Sequence, residues 1–443
     1  MNPLRTVCLM MGVLALASAN SAGPRPMSMN SNRNTIKNSM KPTSWMSIST
    51  LQSLPSLKEI KLKQLEEMSA FEGADLINRL YHLAQATQAL EPTYAPRASE
   101  IPAFLVTPDN QKIEFQLNEL PRVAREQSHC GKQEVTVFIT GLPSKLESVK
   151  EATRSLTQAY MQRYNDESSY YQNSATSSSS SSSHYHHNKK QQRSDSDEDN
   201  SNQKPSGCLV VVKFGDTISD FEEYATVDTE KVGKEVGNVL VQFLQKTNCN
   251  RDNVHLIGSN LGANIAGAAG RQYTKVTNHQ LRRITGLDPV KCFAKDPETL
   301  TGLARGDAEF VDAIHTTANS MGTSARAADV DFYPEGPNEA VPGADNIVES
   351  SMRAVRYFAE SVVPGNERNF PAESAHSLNE YKSSNTSGRR IYMGINTTFK
   401  AEGDYMLQVN TKSPFGRSTP AQKQQNAHGV HKSWKMSSSR DEE

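Results

Sequence analysis

Val254-His255-Leu256-Ile257-Gly258-Ser259-Asn260-Leu261-Gly262 is the stretch of this 443-residue chain whose reading decides the fold. Val254 to Ile257 reads as a buried strand, and the small-residue run from Leu261 to Arg271 reads as a helix. Between them stands the frame of a nucleophile elbow, Gly-x-Ser-x-Gly, in which the outer glycines permit a sharp strand-to-helix turn that lifts the central side chain. Both glycines are present, but the central residue is Asn260. A carboxamide has no hydroxyl for a base to activate. Ser259, one residue early, has Ile257 and Leu261 where the glycines should be, and a one-residue slip on a strand turns its side chain to the other face.

Outward from the elbow, short apolar strands alternate with helices. Val135 to Ile139 and Leu209 to Phe214 precede it; Ile284 to Leu287 and Val311 to His315 follow. Asp228 to Lys246 reads as a helix with Val232, Val236, Val239, Leu240, Phe243 and Leu244 inward. A helix after Gly141-Leu142-Pro143 is expected to open on a capping box of Ser144 and Glu147. The alternation predicts a mainly parallel α/β sheet covered on both faces. Gly262, Gly267 and Gly270 weaken the elbow helix by about 1 kcal/mol each against alanine, which suits a backbone held close to the sheet.

The chain opens as a secretory signal over residues 1–19, with Arg5, an apolar core from Val7 to Ala17, and Ala17-Ser18-Ala19 as cleavage site. That core is too short for a bilayer span of about 20 residues, so an exported protein without a membrane span is expected. Residues 20–50 are polar and aperiodic and read as a mobile arm. Residues 51–95 carry Leu57, Ile60, Leu65, Met68, Phe71, Leu76, Leu80 and Leu83 near helical spacing, an amphipathic helix pair broken around Gly73 that packs on a core. Residues 96–415 form the α/β domain, interrupted at 165–206 by serines (Ser177 to Ser183), His184-Tyr185-His186-His187 and Asp195 to Asp199. Having little apolar surface to bury, the insert is expected to be disordered and to be cut first by protease between Glu167 and Lys204. Residues 416–443 form a polar tail.

A net charge of −1 gives no argument for nucleic-acid binding. Beyond the signal, Cys130, Cys208, Cys249 and Cys292 permit two disulfides in three connectivities. They contain no CxxC pair, and no metal or cofactor is expected.

Three motifs now stand in order: Val254 to Gly270, Arg283-Ile284-Thr285-Gly286-Leu287-Asp288-Pro289, and Phe310 to Thr316. Together they resemble the pancreatic-type triglyceride lipases, of α/β-hydrolase fold. Gly302 to Glu309, Val341 to Asn346, Arg356 to Ser361, Pro364 to Arg368 and Lys412 to Pro420 narrow the resemblance to the dipteran yolk proteins, or vitellogenins, built on that fold. Carried over by motif, the nucleophile position is Asn260, the acid position Asp288, and the histidine position Ser351, within Glu349-Ser350-Ser351-Met352-Arg353. Without the imidazole there is no general base. Asp288, deprived of partners, is expected to cap a neighbouring turn. Thr140-Gly141 stands where the lipases have His-Gly, and the lid between Val330 and Arg356 looks deleted.

The resemblance implies a catalytically inert, secreted nutrient reserve and an oocyte endocytic receptor. It also implies other yolk-protein subunits in an oligomer, and a steroid conjugate or lipid in the old cleft. The rival reading is a secreted lipase or esterase with a displaced site. Export makes two N-glycosylation sequons usable: Asn385, in an exposed loop, and Asn396, expected to be partly buried. Tyr170 and Tyr171 resemble the sulfated tyrosines of the yolk proteins, and Ser194 and Ser196 lie among acids as phosphorylation candidates.

Overall fold

The computed structural model describes residues 56–87, 90–127, 130, 134–165, 207–294, 302–375 and 390–417. The expectations for residues 1–50, the 166–206 part of the insert, the tail beyond 417, Tyr170, Tyr171, Ser194, Ser196 and Asn385 lie outside them.

Seven strands form a parallel centre: β3 (Val135–Ile139), β4 (Cys208–Val212), β5 (Val254–Ser259), β6 (Arg283–Leu287), β7 (Phe310–Ile314), β8 (Val330–Pro334) and β11 (Gly403–Leu407). Antiparallel strands flank them: β1 (Pro102–Val106) and β2 (Lys112–Gln116) at one edge, β9 (Pro371–Ser374) and β10 (Arg390–Tyr392) at the other. The order across the sheet is β10-β9-β11-β8-β7-β6-β5-β3-β4-β1-β2. Every residue of β3 to β8 is buried, and β3 and β4 accordingly show in the sequence as apolar runs without alternation.

Helices cover both faces. On one lie α3 (Leu120–Glu126), α6 (Thr229–Thr247) and α7 (Leu261–Thr277); on the other, α4 (Glu147–Asn165) packs against α8 (Ile347–Val362). Asp228 caps α6 by accepting from Lys231 N, and Asn278, left-handed at φ 58°, ends α7 six residues beyond the expected Arg271. Gly262 meets the sheet as expected, since a Cβ there would sit 2.2 Å from Ile139 O; Gly270 meets both Ile284 of β6 and Asp307, whereas Gly267 faces the 302–307 loop instead.

The N-terminal helices are α1 (Leu62–Glu67) and α2 (Ala70–Thr87), and Leu62, Leu65, Ile77 and Leu80 join the main core. The break falls at Met68–Ser69, not at Gly73. Ser69 and Glu72 exchange capping bonds that start α2, whereas Gly73 sits inside it because a Cβ would lie 2.8 Å from Ile347 Cγ2. The capping box expected at Ser144 is also replaced. Ser144 bonds Asp216, and the first-turn N–H groups of Glu147 and Ser148 donate to the Glu66 carboxylate of α1.

One disulfide forms, Cys130–Cys208, tying the segment before β3 to the start of β4. Cys249 and Cys292 carry none. Cys249 follows α6 at the amino end of the sheet and Cys292 follows β6 at its carboxyl end. A five-residue strand spans about 16 Å, far beyond the ~7 Å limit for bridged Cα atoms.

Candidate functional site

At the end of β5, the chain turns into α7 through Asn260 at φ 58° and ψ −124°. This is a strained conformation for any residue with a side chain, costing on the order of 1–3 kcal/mol. The turn is compact: a Cβ on Gly258 would meet Gly262 O at 2.1 Å. The elbow backbone therefore persists where its nucleophile does not. Ser259 is the last residue of β5, behind the tip.

Asn260, Asp288 and Ser351 converge, although 91 residues separate the first from the last along the chain. The fully buried Asn260 carboxamide has all four of its polar positions occupied. Oδ1 accepts from Tyr224 Oη and from Leu261 N, both at 3.0 Å. Nδ2 donates to Ser351 Oγ at 3.2 Å and to Met321 Sδ at 3.0 Å. Leu261 N–H fixes this orientation, because a flipped amide would oppose donor to donor. Ser351 in turn lies near enough to the Asp288 carboxylate to favour its charged form. The three positions meet, with no titratable base between Asn260 and Asp288.

Asp288, itself at φ 56°, caps the turn after β7: Oδ1 accepts from Thr316 N at 2.9 Å and Thr317 N at 2.8 Å, and Oδ2 from Thr317 Oγ1 at 2.6 Å. Burial pushes its carboxyl above the ordinary range, while Ser351 and the threonine donors oppose the shift.

An elbow enzyme stabilises the developing oxyanion with the N–H of the residue after the nucleophile. Here that donor is Leu261 N, and Asn260 Oδ1 occupies it. The space above is filled as well. Tyr224, on α5 (Phe221–Ala225), lies in an aromatic cluster with Phe221 and Phe293, the last two ring centroids 5.3 Å apart and edge-on. Tyr81 of α2 continues the cluster at 5.5 Å from Phe293. Asn260 itself is fully buried, with Tyr224 and Met321 bonded to its carboxamide.

No sequence pattern marks Tyr224 or Met321, because their bonds to Asn260 cross 36 and 61 residues of chain. The covering role of α1 and α2 was equally hidden. Ala70 N donates to Asp345 O, Asn78 Nδ2 to Asn319 O, Gln85 Nε2 to Phe293 O, and Phe221 N to Ile60 O. These partners lie in connections that follow strand carboxyl ends, where parallel sheets place their ligand sites. Only twelve residues, 335–346, connect β8 to α8.

Asn396 is exposed, not partly buried as expected. The neighbouring Thr397 is turned inward by bonds to Gly394 O and Tyr392 O, which leaves Asn396 and Thr398 on the outside of the turn. Among the described residues, no group of three His, Cys, Asp or Glu side chains is placed to hold a metal ion. Likewise no described helix is long and apolar enough to cross a membrane.

The fold is that of a lipase-type α/β-hydrolase protein, with Asn260 at the tip of its elbow and Ser351 bonded to it. The family model named Lipase matches residues 123–415. Over the full length of both chains, the protein is 47% identical to Vitellogenin-1 of Ceratitis capitata. It is 45% identical to Vitellogenin-2 of the same fly, over 97% of this chain and 98% of that one. Vitellogenin-3 of Drosophila melanogaster is 41% identical, over 88% and 93% respectively. The chain belongs to the dipteran vitellogenins, or yolk proteins, within the lipase family.

Proposed function

We propose that this protein is a secreted egg-yolk reserve, taken up by oocytes through an endocytic receptor, and that it has no hydrolytic activity. The storage reading is supported by full-length similarity to proteins named vitellogenin. One observation carries the inertness: the Asn260 carboxamide occupies the nucleophile position and the Leu261 oxyanion donor at once. Such a protein needs from the fold a stable, soluble body rather than an open cleft, and the filled space over Asn260 fits that need.

A displaced active site would require a hydroxyl activated by histidine. Among the described residues, the side-chain pair of that kind is His255 Nε2 and Thr285 Oγ1, at 2.7 Å. Thr285 donates its proton to Asp312 Oδ1 at 2.7 Å, so it accepts from the His255 N–H, and the imidazole acts as donor rather than base. Both residues are buried, with Phe358 edge-on to the His255 ring.

The test has two arms. Purified protein is assayed for hydrolysis of p-nitrophenyl esters, triglyceride and phospholipid against a heat-denatured control, and no turnover above the control is expected. Fluorescently labelled protein is offered to ovaries in culture, where saturable uptake into yolk bodies is expected. Clear turnover overturns the inert reading, and absent or unsaturable uptake overturns the reserve reading.

A further inference from the structure

Beside the filled elbow, at the carboxyl ends of β6 and β7, α2 and the loops after those strands enclose a cavity of about 580 Å³. We propose that this cavity binds a small oxyanion, a sulfate or phosphate group either free or as the monoester of a small organic molecule, with Lys291 as its counter-ion. The volume lies within the range of roughly 300–1,000 Å³ typical of small-ligand sites. The carboxyl ends of the strands are where open α/β sheets bind ligands.

Charge is the decisive feature. Among the described residues that line the cavity none is Asp or Glu, whereas Lys291, His82 and Arg326 all line it. Arg326 is already neutralised by a two-point bond to Asp404, at 2.9 and 2.8 Å. Lys291 is different. Its ammonium donates to the neutral Asn78 Oδ1 at 3.0 Å and lies 5.3 Å from the centre of the Tyr81 ring, with no carboxylate partner among the described residues. A half-buried cation held by an amide and a ring is under-compensated, and an anion entering the cavity supplies the missing charge with charge-assisted hydrogen bonds. The hydroxyls of Thr323 and Ser324 stand at the mouth as neutral donors.

The ionisable groups around Lys291 agree. Burial pushes its ammonium down to about 8, and Asp288 beneath it opposes the shift only in part, being occupied by the Thr316 and Thr317 donors. His82 on α2 is lowered too, by burial first and by Lys291 second. The Tyr81 phenol is raised, by burial first and by Cys292 second, and is neutral in the working range. Lys291 is therefore mostly charged at pH 7 and mostly neutral at pH 9. Bound anion raises its pKa by linkage.

The test is calorimetric titration of the intact protein, at fixed ionic strength, with inorganic sulfate, inorganic phosphate, phenyl sulfate and phenyl phosphate. One saturable site is expected. Phenyl sulfate keeps one charge across the range, so its affinity should fall about tenfold from pH 7 to pH 9 as Lys291 discharges. Lys291→Met should abolish binding and Lys291→Arg should retain it, with a single cooperative urea transition in each showing that both variants are folded. Binding by the inorganic ions assigns a free-anion site. Binding by the phenyl esters alone assigns a monoester site. No saturable binding by any probe overturns the proposal, as does binding that survives Lys291→Met or shows no decline by pH 9. Neither result touches the storage reading, which rests on the elbow and on the relatives.

Discussion

Replacing Asn260 by serine restores the elbow motif in sequence, and it should damage the protein without reviving it. The carboxamide serves four buried partners, and Asn260→Ser withdraws its oxygen from Tyr224 Oη and Leu261 N and its amide from Ser351 Oγ. A buried donor or acceptor left without a partner costs ~1–3 kcal/mol. The serine hydroxyl can serve one of the three, and a small void remains where the amide stood, so the expected loss is about 2–4 kcal/mol. The backbone strain at φ 58° stays, with fewer bonds to hold it. Hydrolysis should remain at background, because Ser351 provides no imidazole and triad members act as a unit. Urea unfolding followed by intrinsic fluorescence gives the first quantity and p-nitrophenyl butyrate turnover the second. A stability loss under about 0.5 kcal/mol would show that the four bonds do not hold the elbow, and turnover by the variant would refute the reasoning about its base.

Lys291→Met should stabilise the protein at low pH. A lysine whose folded pKa is depressed contributes stability above its unfolded pKa and loses it as pH falls through the folded value, here about 8. Removing the charge should therefore gain at most about 3 kcal/mol below pH 7, at 1.36 kcal/mol per pKa unit, and next to nothing near pH 11, read as paired urea midpoints. Cys130→Ser opens a disulfide of sequence separation 78, and the loop-entropy estimate gives a loss of about 4–5 kcal/mol, measurable by denaturant titration. Material secreted from insect cells should carry a glycan at Asn396: enzymatic deglycosylation in water enriched in heavy oxygen should convert that residue to oxygen-labelled aspartate, and Asn396→Gln should remove one glycan mass.

The sequence by itself determined the elbow and the architecture around it. Parallel strands buried on both faces are mostly apolar, so β3 to β7 announce themselves despite His255, Arg283 and Asp312, and α6 shows its inward valines at helical spacing. The absence of a hydroxyl at Asn260 and of an imidazole at Ser351 was legible too, because side-chain chemistry is read directly from the sequence. Other elements gave weaker signals. The edge strand β2, Lys-Ile-Glu-Phe-Gln, is mostly exposed and draws its order from pairing with β1. Only the tertiary structure decided what replaced the active site. Tyr224, Met321, Glu66 and Ile60 act on groups between 36 and 161 residues away along the chain, through hydrogen bonds that no local period encodes. Which buried polar group meets which partner is settled when the helices dock. For that reason a vacant-looking motif in the sequence is, in the folded protein, a filled and fully bonded site.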